Sequence, residues 1–141
     1  MSPITPQQAF DAALLGIRAQ NYKRSLNGVG CEYRGSKGLK CGIGHALPDE
    51  LCVLNGVSID KPNGCDADIA SLLRDTHWGA RLSPFFSLCE PEMLVQMQEA
   101  HDSSLSPVIY TNPAEIRASF ERHMASIAKD YGLTYTPPKL T

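Results

Sequence analysis

The sequence lacks the features that define several classes of protein. No stretch approaches the roughly 18 consecutive apolar residues of a membrane-spanning helix, and Met1–Pro6 does not show the basic-then-apolar order of a secretory signal. Basic residues are scattered, Lys23-Arg24 is their one adjacent pair, and the net charge is −2. A broad phosphate-neutralising surface is therefore not expected. We predict a cytoplasmic protein that neither crosses a membrane nor binds nucleic acid.

Short motifs of phosphate and zinc sites are missing as well. The glycines of Gly42-Ile43-Gly44 lack both the G-K-[ST] ending of a phosphate loop and the spacing of a dinucleotide-binding turn. They are better explained by close packing of the backbone under a neighbouring helix. The chain also has no C-x-x-C pair and no local motif of a known thiol enzyme family.

The chain of 141 residues, 43% hydrophobic and 20% charged, is of ordinary globular composition. We predict a single-domain α+β fold that is predominantly helical, with about five helices packed around one β-hairpin. Residues 1–133 are expected to form the globular domain. Residues 134–141, which contain Pro137-Pro138, are expected to be an extended or mobile tail.

The first and last helices have the clearest signals. Thr5, Pro6 and Gln8 form a capping box at the start of the first helix, and Asn112, Pro113 and Glu115 repeat that pattern before the last. We expect these two helices to supply most of the core. Their buried stripes are Phe10, Ala13, Leu14 and Ile17 in the first, and Ile116, Phe120, Met124, Ile127 and Tyr131 in the last.

The predicted hairpin lies in a cysteine- and glycine-rich segment, Cys31–Cys52. Two short extended runs, Cys31–Arg34 and Leu39–Gly42, are joined by a turn of glycine, serine and lysine. The register stays open, since Cys41 would face Glu32 or Cys31 depending on the loop length. A short helix is then predicted from Pro48 to Asn55-Gly56, followed by a polar loop over 57–64.

Four soft metal ligands fall within this segment: Cys31, Cys41, His45 and Cys52. Together they could hold a zinc ion in tetrahedral geometry and stabilise a binding module. The intervening gaps of nine, three and six residues do not resemble those of a zinc knuckle. With five cysteines in a reducing compartment, free and largely buried thiols are the favoured interpretation.

An enzyme is a second hypothesis. Cys41 or Cys31 could act as a nucleophile with His45 or His101, oriented by a nearby aspartate (Asp102 or Asp49). The His101-Asp102 pair could alternatively serve a hydrolase by holding a metal. Any chain with five cysteines and four histidines offers such combinations by chance, so the balance is against catalysis. We favour a partly buried His101 that bonds a backbone carbonyl.

Binding residues form the third group. Arg34 and Lys40, with Lys37 between them, could clamp a phosphate or carboxylate beside Tyr33. The aromatic stretch over 78–87 is expected to be irregular. Its aromatic side chains are expected to pack inward, but as an exposed patch they would form a protein contact surface. These side chains are Trp78, Phe85 and Phe86.

Part of the sequence resembles a group of small phage, prophage and bacterial proteins. The resemblance rests on Cys31-x-Tyr33-Arg34, the run Gly38–Gly44, Leu47–Glu50 and a later segment, Gln98–Asp102, with the pattern Gln-x-x-His-Asp. It transfers no catalytic residue. It implies a small accessory protein, encoded by a phage and acting in the host cytoplasm, that binds and modulates or inhibits a host or defence protein. Association with a second copy of the chain stays open.

Overall fold

The computed structural model describes residues 2–23, 32–35, 38–61, 68–102 and 113–138. In these ranges the chain forms an α+β fold, predominantly helical as predicted, with one hairpin and one connected core. A 3-10 turn occupies Asp49–Leu51. The helices are α1 (Pro6–Ala19), α2 (Gly42–Ala46), α3 (Ile69–Arg74), α4 (Thr76–Leu82), α5 (Pro91–Asp102) and α6 (Pro113–Tyr131), and the strands are β1 (Val53–Leu54) and β2 (Val57–Ser58).

The start of α1 confirms the predicted capping box. The hydroxyl of Thr5 accepts from the N–H of Gln8 at 3.1 Å, and the side chain of Gln8 accepts from the N–H of Thr5 at 3.0 Å. These bonds satisfy two N–H groups that the first helical turn leaves without partners. The predicted apolar stripe is buried along its whole length: Phe10, Ala13, Leu14 and Ile17.

The last helix, α6, is also confirmed over its described length. Of the predicted stripe, Phe120, Met124 and Ile127 are buried and Ile116 and Tyr131 are half-buried; Gly132 follows the helix with a φ of +67°. The N–H of Leu133 donates to the carbonyl of Ala128 at 2.8 Å, which closes the helix in the manner of a left-handed cap. Asn112, predicted to cap its start, lies outside the described residues.

The core is shared more widely than the sequence predicted. Short α2 lies against both α1 and α5, and α5 also contacts α3 and α6, so α5 occupies the centre of the described structure. Many of the largest fully buried side chains of the core lie outside α1 and α6. Examples are Ile43, Ile59, Ile69, Leu72, Leu82, Met93, Leu94 and Met97. The expectation that the first and last helices supply most of the core is therefore wrong.

The hairpin is present but later in the chain than predicted. Leu54 pairs with Val57 across Asn55-Gly56, whose φ values of +51° and +79° are those of a type I′ turn. The Asn-Gly dipeptide is the residue pair that this turn favours. The short helix predicted from Pro48 is therefore interrupted by the hairpin, and only the 3-10 turn Asp49–Leu51 is helical. The predicted polar loop likewise begins as β2 and continues into Ile59, which is fully buried.

The runs predicted as strands face each other without forming a ladder. In the described residues one backbone hydrogen bond joins the two runs, from Cys41 N–H to Glu32 at 3.2 Å, and Gly35 of the predicted turn donates to Leu39 at 2.8 Å. Gly42 then begins α2, which ends any pairing. Cys31 lies outside the described residues, so its register with Cys41 stays a prediction.

Close packing of α2 explains the glycines that precede and follow Ile43. A Cβ atom at Gly42 would lie 3.2 Å from the carbonyl of Met97 in α5. At Gly44 it would overlap the carbonyl of Tyr33. The interpretation of these residues as a site of close backbone approach is confirmed for Gly42, because its neighbour is a helix.

The aromatic stretch after residue 75 is helical at its start. Asp75 ends α3 and caps α4, since its carboxylate accepts from the N–H groups of His77 and Trp78 at 3.0 and 2.9 Å. The prediction of an irregular segment from Trp78 is therefore wrong up to Leu82. None of the described helices is long and apolar enough to cross a membrane.

Candidate functional site

Cys41, the proposed nucleophile, is buried with 1% of its surface exposed. It is the N-terminal cap of α2, and its Sγ accepts from the N–H of Gly44 at 3.3 Å. The thiol thus performs the task that serine or aspartate performs at other helix starts. No substrate can reach it without local opening of the structure.

The second residue of the proposed pair, His45, is bonded to Gln20 in the turn after α1. The amide nitrogen of Gln20 donates to the carbonyls of Lys23 and Lys40 at 2.7 and 2.8 Å, and its oxygen accepts from the N–H of Lys40 at 3.2 Å. That oxygen can only accept, so the Nε2 of His45, 2.8 Å away, must carry the proton. Gln20 was missed by sequence reasoning as the residue that joins α1 to the cysteine-rich segment.

The surroundings of His45 keep its ring neutral. Burial, and then the positive charges of Lys40 and Arg34, lower the pKa of His45 to about 4. On the opposite side the ring packs so closely on α1 that a Cβ atom at Gly16 would overlap it. At neutral pH the ring of His45 is therefore uncharged, packs against α1 and donates its Nε2 proton to the side chain of Gln20.

The candidate zinc ligands are not brought together by the described structure. Cys52 is buried, its thiol donates to the carbonyl of Pro48 at 3.5 Å, and burial raises its pKa. Among the described residues, no three histidine, cysteine, aspartate or glutamate side chains are arranged to hold a metal ion. Cys31, the fourth proposed ligand, lies outside them, so the complete set of four remains a prediction.

The guanidinium of Arg34, a proposed anion-binding residue, forms its hydrogen bonds within the protein. One of its terminal nitrogens donates to the carbonyls of Tyr33 and Gly44 at 3.1 and 2.5 Å, and the other donates to Leu47 at 2.5 Å. Its Nε donates to Asp49 at 3.0 Å. Every guanidinium nitrogen thus has an internal acceptor, and the residue ties the end of α2 to the loop before it.

A buried carboxylate that the sequence did not reveal holds the backbone beside Arg34. Asp60, 8% exposed, accepts from the N–H groups of Tyr33 and Arg34 at 2.6 and 3.1 Å. The sequence places Asp60 in a polar stretch, and its only signal is the position directly after the apolar Ile59. Burial of a carboxylate requires such donors, since an unpaired one is costly.

Tyr33, also proposed for binding, is 2% exposed and belongs to the core. Its hydroxyl accepts from the side chain of Gln98 in α5 at 3.0 Å, and the oxygen of Gln98 accepts from the N–H of Ile69 at 2.9 Å. This chain of bonds fixes the start of α3 to α5. Tyr33 is therefore a structural residue and presents no binding face.

The remaining proposed polar residues divide into two groups. Lys40 is half-buried, and its backbone pairs with Gln20 while its charge acts on His45. His101 and Asp102 form the end of α5, and their side chains lie outside the described part of the chain, as does Lys37. Their proposed catalytic roles remain predictions.

The three aromatic side chains do not form an exposed patch, so that prediction is wrong. Trp78, Phe85 and Phe86 are 3%, 8% and 3% exposed, so they pack inward, which was the other expectation. Phe85 and Phe86 make an edge-to-face contact with their ring centroids 5.0 Å apart. Burial of large aromatic surfaces stabilises the fold, so these rings are unavailable as a broad contact surface.

Trp78 nevertheless forms one wall of a surface cleft beside the hairpin. The cleft, of about 360 Å³, lies between the hairpin and the start of α4. Val53 and Val57, on the two strands, are 50% and 41% exposed. We call this region the hairpin cleft; it is lined by Leu54, Asn55, Val57, Lys61, Asp75, His77 and Trp78.

No family model, curated protein or solved structure matches the chain.

Proposed function

We propose that the chain is an accessory protein that binds another protein and modulates it, with the hairpin cleft as its contact surface. A host or defence protein is the partner class to search first, because the sequence resembles small phage and bacterial proteins. The contact surface differs from the one predicted from sequence, since it consists of valines and a cleft instead of exposed aromatic rings.

The observation that carries the proposal is the exposure of two valines on one short hairpin. Val53 and Val57 are 50% and 41% exposed, whereas apolar side chains of this size are usually buried. Isolated exposed apolar residues are common, but here Val57 lines an open cleft with a tryptophan in its wall, and Val53 adjoins Leu54, another residue of that lining. Tryptophan is among the side chains that most often carry the binding energy of protein interfaces.

The described polar residues of the cysteine-rich segment support binding over thiol catalysis. Cys41 caps a helix, His45 bonds Gln20, and Arg34 has four internal acceptors. Groups committed in this way stabilise a scaffold and are not poised for proton transfer. A catalytic pair would need its nucleophile and base within hydrogen-bonding reach of each other and of a substrate.

The scaffold also holds the hairpin in place. The N–H of Ile59 donates to the carbonyl of Cys52 at 2.8 Å, which extends the pairing toward the core. Ile59 is fully buried, and Asp60 beside it binds the backbone at Tyr33. A rigid hairpin loses little conformational freedom on binding, which favours affinity.

The test compares two variants in capture experiments. Val53→Lys/Val57→Lys replaces both exposed valines, and Leu15→Lys changes an equally exposed residue (59%) on α1 as the control. Tagged wild type should retain a specific protein from lysate of its host after cross-linking. The hairpin variant should lose that protein and the Leu15 variant should keep it, with equal thermal unfolding midpoints.

Two results would contradict the proposal. One is a wild-type protein that retains no partner under conditions in which the tag is accessible. The other is a partner that the hairpin variant and the control retain equally, since the contact surface would then lie elsewhere.

A further inference from the structure

A second surface depression lies on another part of the molecule, between α3 and the start of α5. It has a volume of about 390 Å³ and is lined mainly by apolar side chains, among them Ala70, Leu73, Phe86, Cys89 and Pro91. We call it the α3–α5 groove. It shares no lining residue with the hairpin cleft, so the two surfaces are separate features.

An exposed apolar side chain stands directly beside this groove. Leu88 is 55% exposed, and its chain neighbours Ser87 and Cys89 both line the depression. A protruding leucine is thus placed next to an apolar depression with room for a side chain of its size. Such a combination can complement itself when two copies meet around a twofold axis, because each leucine then enters the other copy's groove.

The charges on the two sides of the groove point to the same arrangement. Arg74, at the end of α3, is exposed and lines the groove, and its side chain makes no hydrogen bond or ion pair with any described residue. Glu90 and Glu92, also exposed, precede and follow Pro91, which lines the groove. A twofold axis across the groove brings the arginine of each copy toward the acidic pair of the other.

We propose that the α3–α5 groove is the interface of a homodimer in which a second copy of the chain supplies the occupant. The chain itself provides each complementary part: the leucine and the depression, the arginine and the glutamates. A foreign partner would have to supply both an apolar side chain and a matching charge. The proposal is independent of the proposed function, since the α3–α5 groove and the hairpin cleft share no lining residue.

Sedimentation equilibrium of the purified full chain tests the proposal, with samples up to roughly 100 μM, the range in which weak dimers form. Wild type should reach twice the chain mass. Leu88→Asp should weaken association at least tenfold, and Leu15→Asp, at an equally exposed position on α1, should leave it unchanged. Circular dichroism of each variant verifies that it is folded.

Exchanging the charges of Arg74 and the two glutamates tests whether these residues face each other in the dimer. Arg74→Glu should weaken the dimer, and adding Glu90→Arg and Glu92→Arg to the same chain should restore it, since both partners then carry reversed charges. Wild type that is monomeric at every concentration overturns the proposal. A dimer that neither Leu88→Asp nor Arg74→Glu weakens also overturns it, because its interface then lies outside the groove.

Discussion

The side chain of Gln20 connects three parts of the chain through one carboxamide. It bonds the backbone of Lys23 in its own turn, the backbone of Lys40 across the core, and the ring of His45 in α2. The bonds to Lys40 and His45 are partly buried and satisfy polar groups that would otherwise be costly to bury. The residue that sequence analysis singled out for chemistry, His45, therefore depends on one that carried no chemical signal.

The stability of the protein should decrease in acid because of His45. The unfolded chain takes up this proton at the ordinary pKa of 6.5, whereas the native ring does so only near a pKa of about 4. Between these values the unfolded state binds more protons, so the free energy of unfolding falls as the pH is lowered through this window. With solvent screening of the half-buried ring, the loss should be roughly 1–2 kcal/mol.

Urea unfolding at a series of pH values measures this loss. His45→Gln can still donate to Gln20 but does not titrate, so its stability should vary less with pH between 4 and 6.5 than that of wild type. His77→Gln, at an exposed position on α4, should retain the wild-type profile. Equal pH profiles for wild type and His45→Gln would contradict the assignment of a neutral, bonded ring.

At the scale of elements, local signals located the two long helices correctly. The capping box of α1 and the spacing of Phe120, Met124 and Ile127 in α6 arise within a few turns of chain, so they can be read from sequence. The hairpin could not be located in this way. Asn55-Gly56 favours left-handed backbone, which suits both the end of a helix and a type I′ turn, and only pairing between strands distinguishes them.

The candidate site was less predictable than the helices, because its contacts also join segments that are distant in the sequence. The acceptors of Arg34 are the carbonyls of Tyr33, Gly44 and Leu47, and any residue supplies a carbonyl, so no side-chain pattern could indicate them. The apolar character of the aromatic stretch correctly indicated burial of Phe85 and Phe86. It could not indicate that Val53 and Val57 of the hairpin would be exposed.

The turn of the hairpin gives a prediction at this scale. Gly56 has a φ of +79°, a conformation that strains any residue with a Cβ atom. Gly56→Ala should therefore lower the free energy of unfolding by about 1 kcal/mol, measured by urea unfolding. Asn55→Gly at the preceding position, where φ is +51°, should cost less, since glycine adopts that conformation without strain. An Ala variant as stable as wild type would argue against the I′ turn.

At the scale of the whole molecule, one ion pair joins α1 to α6. The guanidinium of Arg18 bonds both carboxylate oxygens of Glu121, with its Nε 2.6 Å from Oε1. The side chains are only 17% and 10% exposed. Arg18 also donates to the carbonyl of Thr136 at 2.7 Å, so the described part of the predicted tail is held against α1.

Removing one member of this ion pair should lower the free energy of unfolding more than removing both members. Arg18→Met leaves the Glu121 carboxylate buried and unpaired, which should lower the free energy of unfolding by about 3 kcal/mol. The double variant Arg18→Met/Glu121→Leu should recover most of this loss, because an apolar pair needs no counter-charge. Urea unfolding of the three proteins measures the difference. A double variant no more stable than Arg18→Met would show that the loss arises from packing.

The contact between α1 and the last residues of the structure also constrains the order in which the chain folds during synthesis. Gln7 exchanges two hydrogen bonds with Thr134, a residue 127 positions later. At translation rates of about 5–20 residues per second, roughly ten seconds separate the emergence of these two residues from the ribosome. During that interval α1 lacks its bonds to the end of the chain, although α2, which packs against it, begins already at Gly42. The completed packing of the first helix is therefore among the last events of folding.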